Sequence, residues 1–207
     1  NGSCPFLDLA ANQAEAEWIK QGLGPALFNL RDEHQEMGVQ ALKQLGLPKD
    51  AWYVTLHVRE PGYRGETHEN TTENWRNANP LDYIKACEVI TRAGGWVFRM
   101  GDSSMIPLPS MSKVIDYALC EIRSDWMDVF LGATCRFCIG TGSGYFHIPA
   151  FFNVPLILVD FPGFVPYFGL KSHDLYLPRW IKDIKSGVGK YDLALYGEIV
   201  DLSGAAF

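Results

Sequence analysis

The sequence predicts an α/β fold of the doubly wound, Rossmann-like kind, with a mostly parallel sheet. Three observations carry this. Short runs rich in β-branched, aromatic and aliphatic residues, at 52–58, 96–101, 135–140 and 155–161, alternate with stretches of helical spacing. The runs are nearly continuous in apolar character, as strands covered on both faces are. A glycine-rich turn, Gly140-Thr141-Gly142-Ser143-Gly144, joins one of them to the next helical stretch.

Taken in order, residues 8–22 and 31–45 place Leu9, Ala10, Ala14 and Trp18, then Met37, Ala41, Leu42 and Leu45, at helical spacing, and Gly46-Leu47-Pro48 ends the second helix. Residues 52–58 (WYVTLHV) form a buried strand. Residues 60–79 are polar and aperiodic, which marks a site-covering loop. Pro80 opens a helix whose stripe is Tyr83, Ile84, Cys87 and Ile90, and Gly94-Gly95 stops it. Residues 96–101 are a second strand, whereas 114–119 fits a strand or a helical stripe equally. A short helix is expected over 125–133, a strand over 135–140, a helix over 144–153 and a final buried strand over 155–161. The chain thus divides into a helical lead-in (1–50), a Rossmann-like domain (51–178) and a C-terminal extension packing on that domain (179–207). In such sheets ligands bind beyond the carboxyl ends of the strands, which selects the segments after His57, Met100, Leu119 and Ile139.

Composition removes several classes of function. The formal charge of −6, without any run of Lys or Arg, argues against nucleic acid or an anionic membrane as partner. No apolar stretch is long enough for a membrane span, and the start has no basic and apolar leader pattern. Five cysteines at irregular spacing, several inside apolar runs, favour a reducing, cytoplasmic setting. Cys135 and Cys138 are spaced C-x-x-C but lack partners for a zinc site, and Asn70-Thr71-Thr72 is a chance glycosylation match.

The glycine turn presents backbone where a helix begins, beside the hydroxyls of Thr141 and Ser143, which is the chemistry of an anion site. His147, one turn on, would add a donor. A plain tight turn with a core histidine explains the same residues equally well. No Gly-Lys-Ser/Thr follows, and the spacing is not that of the dinucleotide fingerprint.

Residues 139–160 (IGTGSGYFHIPAFFNVPLILVD), with Ser143, Gly144, His147, Ala150 and Pro155, resemble the donor-site segment of GT-B glycosyltransferases, notably heptosyltransferases. Ordered blocks at 56–63, 75–86, 94–101, 114–119, 124–144 and 196–202 resemble a bacterial family of glycosyltransferases with a role in polysaccharide biosynthesis. His57-x-Arg59 is similar to the H-x-R element of GDP-fucose-dependent fucosyltransferases, though Glu60-Pro61-Gly62 then departs from their pattern, so GDP-fucose itself is not implied. The resemblance makes 51–178 a nucleotide-sugar donor domain, one lobe of a two-lobed enzyme. It implies a diphosphate site formed by Arg59, Thr141, Gly142, Ser143, Gly144 and His147.

Arg59 at a strand end has the planar, permanent charge that suits a diphosphate, and a surface ion pair with Glu60 or Glu66 is its plain alternative. Arg99, Gly101, Asp102 or Ser103, and Ser124 are candidates for the nucleoside, although Ser124-Asp125 would cap a helix as readily. His57 and Glu60 are the carboxylate-or-imidazole candidates for general base, and His57 suits a structural role equally. No D-x-D triplet occurs, so metal-independent transfer without a cofactor is expected. The acceptor would be a glycan or other hydroxyl compound, recognised by an N-terminal lobe or a partner chain. The rival readings are a nucleotide-sugar epimerase and a non-catalytic nucleotide-sugar-binding module.

Overall fold

A computed structural model describes residues 17, 20–22, 26–62, 76–161, 171, 173–179, 181–182 and 189–190. Most of the predicted helix over 8–22, much of the 60–79 loop and most of the expected extension over 179–207 fall outside these. The first described helix with set bounds, α1 (Asp32–Gln44), has Asp32 and Glu33 in its first turn and Lys43 in its last, each favourable to the helix dipole.

Six strands form one parallel sheet: β1 (Tyr53–His57), β2 (Trp96–Arg99), β3 (Val114–Ile115), β4 (Cys138–Gly140), β5 (Leu156–Phe161) and β6 (Leu175–Pro178). Their spatial order is β3-β2-β1-β4-β5-β6. This is the doubly wound order in which direction of winding reverses between β1 and β4, so the connections leaving those two strands diverge and open a crevice at their carboxyl ends. A separate antiparallel pair joins β7 (Ile181–Lys182) to β8 (Gly189–Lys190).

The alternation along β1 shows how the sheet is covered. Val54, Leu56 and Val58 are buried with Val97 and Ile139 against Cys87 and Ile90 of α2 (Ile84–Arg92). Tyr53, with Phe98, Cys138, Leu156 and Leu158, is buried on the other face against Met127, Phe130 and Leu131 of α3 (Asp125–Thr134). On that face the Tyr53 hydroxyl shares a 2.5 Å hydrogen bond with Thr134 Oγ1, and Thr55 Oγ1 lies 3.4 Å from Cys135 Sγ. Both hydroxyls of the strand are thereby satisfied inside the core.

Several expectations are refined. The helix opening at Pro80 begins as a 3-10 turn, Pro80–Tyr83, capped by the Asn79 side chain accepting from Leu81 N–H, and only then becomes α2. Residues 114–119 split: two make β3, and Tyr117–Leu119 make a 3-10 turn. The helix over 144–153 shrinks to α4 (His147–Phe151). The strand over 155–161 is not the last of the sheet, because β6 pairs beyond it. Leu175 and Leu177 of that edge strand are exposed, so its segment lacked the pattern of a buried strand. Cys135 and Cys138 are buried free thiols, and burial pushes Cys135 up to about 11 and Cys138 higher still, the condition of inert core cysteines.

Candidate functional site

A cleft of about 670 Å3 lies over the carboxyl ends of β1, β2 and β4. Cationic groups from the loops after β1, Arg59 and Arg76, line it together with Ser143 and Gly144 of the glycine turn. Met100, Gly101, Asp102 and Met105 after β2, with Arg123, Asp125 and Asp128 at the start of α3, supply a more acidic part of the wall. The switch point of the sheet thus carries positive side chains and a glycine turn, and its flank carries carboxylates and methionines.

The β1 and β4 ends are stitched together. Thr141 N–H donates to His57 O at 3.1 Å, and Arg59 N–H donates to Thr141 Oγ1 at 2.8 Å. Thr141 is fully buried by these bonds. Its hydroxyl is a strut between the two loops and does not line the cleft. Gly142 has a similar role, its carbonyl accepting from Arg76 Nε at 3.1 Å and Nη2 at 2.8 Å. Ser143 Oγ reaches the cleft, lies 3.0 Å from His57 Nδ1 and accepts from Tyr145 N–H at 3.3 Å. Of the six residues expected around a diphosphate, Arg59, Ser143 and Gly144 line the cleft, with Thr141 and Gly142 behind them.

His147 departs from expectation. Its ring packs with Phe146 (centroids 4.2 Å apart) and Phe151 (6.1 Å), burial lowers its pKa, and it is not part of the cleft lining. The irregular turn over 145–146 delays the helix and carries the imidazole onto its aromatic side.

His57 lines the cleft and stacks on Tyr145 at 5.2 Å. Burial, helped by the positive charge of Arg99, pushes its pKa down to about 4, so the imidazole is neutral at pH 7. A base this weak, with Nδ1 against Ser143, is better suited to orienting that hydroxyl than to taking a proton. Glu60 also reaches the cleft wall, but its Oε1 pairs with Arg99 and its Oε2 accepts from Ile106 N–H at 2.9 Å. Both oxygens are occupied, which makes Glu60 a counter-ion and a loop anchor in place of the expected general base.

Arg99 lies apart from the other nucleoside candidates that line the cleft. It is 0% exposed and outside the cleft, with its guanidinium bound to Glu60, to Asp116 at 2.8 Å and to Ile106 O at 3.1 Å. A nucleoside has no access to it. Ser124 likewise does not line the cleft: it precedes α3, its side chain makes no capping bond, and its N–H donates to Tyr117 Oη at 3.0 Å. Gly101 and Asp102 do line the cleft. Gly101 has φ 150°, and its carbonyl accepts from Arg123 Nε at 2.7 Å. Asp102 Oδ1 accepts from Ser104 N–H at 2.8 Å, which folds the loop after β2 back on itself.

Sequence reasoning missed Arg76, Arg123 and Asp128. Arg76 belongs to the polar loop, where only folding brings it back to the glycine turn. Asp125 and Asp128 are three apart in the first helical turn, a spacing that puts them on one face and was legible in principle. Asp128 accepts from Arg123 Nη2 at 3.2 Å, while its other oxygen, Oδ1, is buried without a partner. Burial outweighs the pull of Arg123 and pushes this carboxyl up to about 6 from an ordinary 3.8. Between those two values the folded chain holds the extra proton, so this group's contribution to stability falls as pH rises through that window. Asp128→Asn should therefore gain more melting temperature relative to the unsubstituted chain at pH 7.5 than at pH 4.5. Equal differences at both pH values would remove the burial assignment.

No protein-family model matches the chain, and no curated protein matches it in sequence. Solved structures do match in fold. The glycosyl transferase family 9 protein of Veillonella parvula superimposes with a TM-score of 0.50 at 11% identity, over 87% of this chain and 46% of that one. The ADP-heptose LPS heptosyltransferase II of E. coli gives 0.51 at 13% identity, over 85% of this chain and 53% of that one. The chain spans about half the length of these proteins. At such identities the likeness is one of fold, and it agrees with the Rossmann-like α/β class drawn from the sequence.

Proposed function

We propose that this chain is the donor-binding lobe of a GT-B glycosyltransferase, which transfers a sugar from a nucleotide diphosphate to an acceptor hydroxyl. The observation that carries the reading is the position of Arg59, Arg76, Ser143 and Gly144 around one cleft, at the β1/β4 switch point of a doubly wound sheet. The fold it shares with a family 9 glycosyl transferase and a heptosyltransferase supports the same reading.

Breaking the sugar–phosphate bond leaves negative charge on the departing diphosphate, and donors already fixed in place stabilise that charge best. Arg59 and Arg76 supply the positive charge and their planar forks match phosphate oxygens. Arg59 is held by its own N–H on Thr141. Arg76 is held by the Gly142 carbonyl. With neutral His57 protonated at Nδ1 and donating to Ser143 Oγ, the Ser143 O–H is left to donate to the diphosphate. This set stands in for a metal ion, so the transfer proceeds without one. The nucleobase, at the loop after β2, lies against Met105 and Gly101, with Asp102, Asp125 and Asp128 as acceptors for its N–H groups or for ribose hydroxyls. The acceptor and the group that deprotonates it come from a second lobe or a partner chain, because His57 and Glu60 are both otherwise engaged.

The test is incubation of the protein with UDP-, GDP-, ADP- and CDP-sugars in EDTA, with nucleoside diphosphate release followed with and without added glycan acceptors. Release from one nucleotide class, raised by an acceptor and unaffected by EDTA, is expected. Binding without release would leave a sugar-nucleotide-binding module, and interconversion of the sugar without release would make the protein an epimerase.

A further inference from the structure

At the carboxyl end of β5, Asp160 has φ 53°, the left-handed region that non-glycine residues seldom occupy. The β5/β6 register is irregular between Val159 and Phe161, so the chain carries an extra residue there and Asp160 is turned out of the ladder. Such local strain persists only where the surroundings hold it, and it concentrates at functional sites.

Asp160 faces Arg179, the first residue beyond β6 and of the expected C-terminal extension. Arg179 Nε donates to Asp160 Oδ1 at 2.8 Å and Nη2 to Oδ2 at 2.7 Å, a two-point carboxylate–guanidinium pair. The same Nη2 donates to the backbone carbonyl of Asn77 at 2.9 Å. The Asn77 side chain in turn takes up Arg59, whose Nη1 donates to its Oδ1 at 2.7 Å. Ala78 N–H closes the loop by donating to Arg59 O at 2.9 Å. A chain of hydrogen bonds thus runs from Asp160 through Arg179 and Asn77 to the guanidinium of Arg59, which lines the cleft.

We infer that Asp160, acting through Arg179 and Asn77, is a positioning residue for Arg59, and so sets the affinity of the cleft for diphosphate. The inference rests on the reading of Arg59 as a phosphate ligand. Asp160 does not reach the ligand itself. Its charge anchors Arg179, Arg179 fixes the Asn77 backbone, and Asn77 fixes the rotamer of Arg59. An arginine already held in its bound geometry loses less conformational freedom when the anion arrives.

Asp160→Asn isolates the charge, because Asn tolerates the left-handed backbone as Asp does. Asn77→Ala breaks the last link by a change outside the strained turn and gives an independent variant should the first fold poorly. Affinity for inorganic pyrophosphate and for UDP, GDP, ADP and CDP is measured by calorimetry, in the Arg59 chain and in an Arg59→Ala background. Each variant should weaken binding roughly five- to tenfold when Arg59 is present and leave it nearly unchanged when Arg59 is absent. Wild-type affinity in both variants would overturn the positioning role alone. The same loss in both backgrounds would also overturn it, since the effect would then not pass through Arg59. Absence of binding by the unsubstituted chain to every probe would overturn the donor-site reading and this inference with it.

Discussion

Arg99→Ala should destabilise the chain by about 3–5 kcal/mol, the usual cost of removing one partner from a buried charge cluster. The Arg99 side chain is fully buried, and Glu60 beside it is only 2% exposed. Taking away the guanidinium strands the Glu60 carboxylate inside the protein and leaves Asp116 without its partner at 2.8 Å. It also loosens the loop after β2. Glu60 Oε2 holds Ile106 N–H, Asp116 Oδ2 holds Leu108 N–H at 2.8 Å, and Arg99 Nη2 itself holds Ile106 O. The loop that forms the methionine-lined wall of the cleft is therefore pinned by three charged groups that exist as a unit. Urea denaturation measures the loss. Adding Glu60→Gln to Arg99→Ala should recover part of it, because the stranded charge is then gone. A loss below about 1 kcal/mol, or no recovery in the double variant, would mean that the cluster is not the support described here.

Arg59→Ala and Arg76→Ala should each weaken nucleoside diphosphate binding by about ten- to a hundredfold, the value of one charge-assisted contact of roughly 1.5–3 kcal/mol. The double variant should bring binding close to the limit of detection. Both side chains are partly exposed at the cleft, where solvent screens charge, so the melting temperature should change less than in Arg99→Ala. That contrast separates them from Arg99. Arg59→Lys keeps the charge but loses the fork, and should recover only part of the affinity. Full affinity in Arg59→Ala and Arg76→Ala would place the diphosphate elsewhere.

These two predictions also mark where the sequence was legible and where it was not. Arg59 and Arg99 both end strands and look alike in one dimension. Their fates differ because β1 is central, with Glu60 at its end, while β2 lies between β1 and β3 and so faces Glu60 on one side and Asp116 on the other. Strand order decides the matter, and strand order is a long-range property that spacing does not encode. The glycine turn was legible because its chemistry is local: the strand, the hydroxyls and the helix start are contiguous, and Ser143 and Gly144 duly reach the cleft. His147 was not, since two extra turn residues rotate it onto Phe146 and Phe151. Arg76 was hidden for the opposite reason. It approaches Gly142 across 66 positions of sequence, from a loop without periodicity. The strand β6 escaped because an exposed edge with Leu175 and Leu177 turned outward lacks the continuous apolar run that marks β1, β4 and β5.

The central claim is that one cleft, at the switch between β1 and β4, takes the diphosphate of a sugar nucleotide. Co-crystallisation with UDP, GDP, ADP and CDP in turn, in the presence of EDTA, tests it most directly. The account predicts one of the four bound with its phosphate oxygens within about 3.2 Å of the Arg59 and Arg76 guanidinium groups and of Ser143 Oγ. A diphosphate seated away from these residues, or a cleft that stays without nucleotide in all four at saturating concentration, would contradict it.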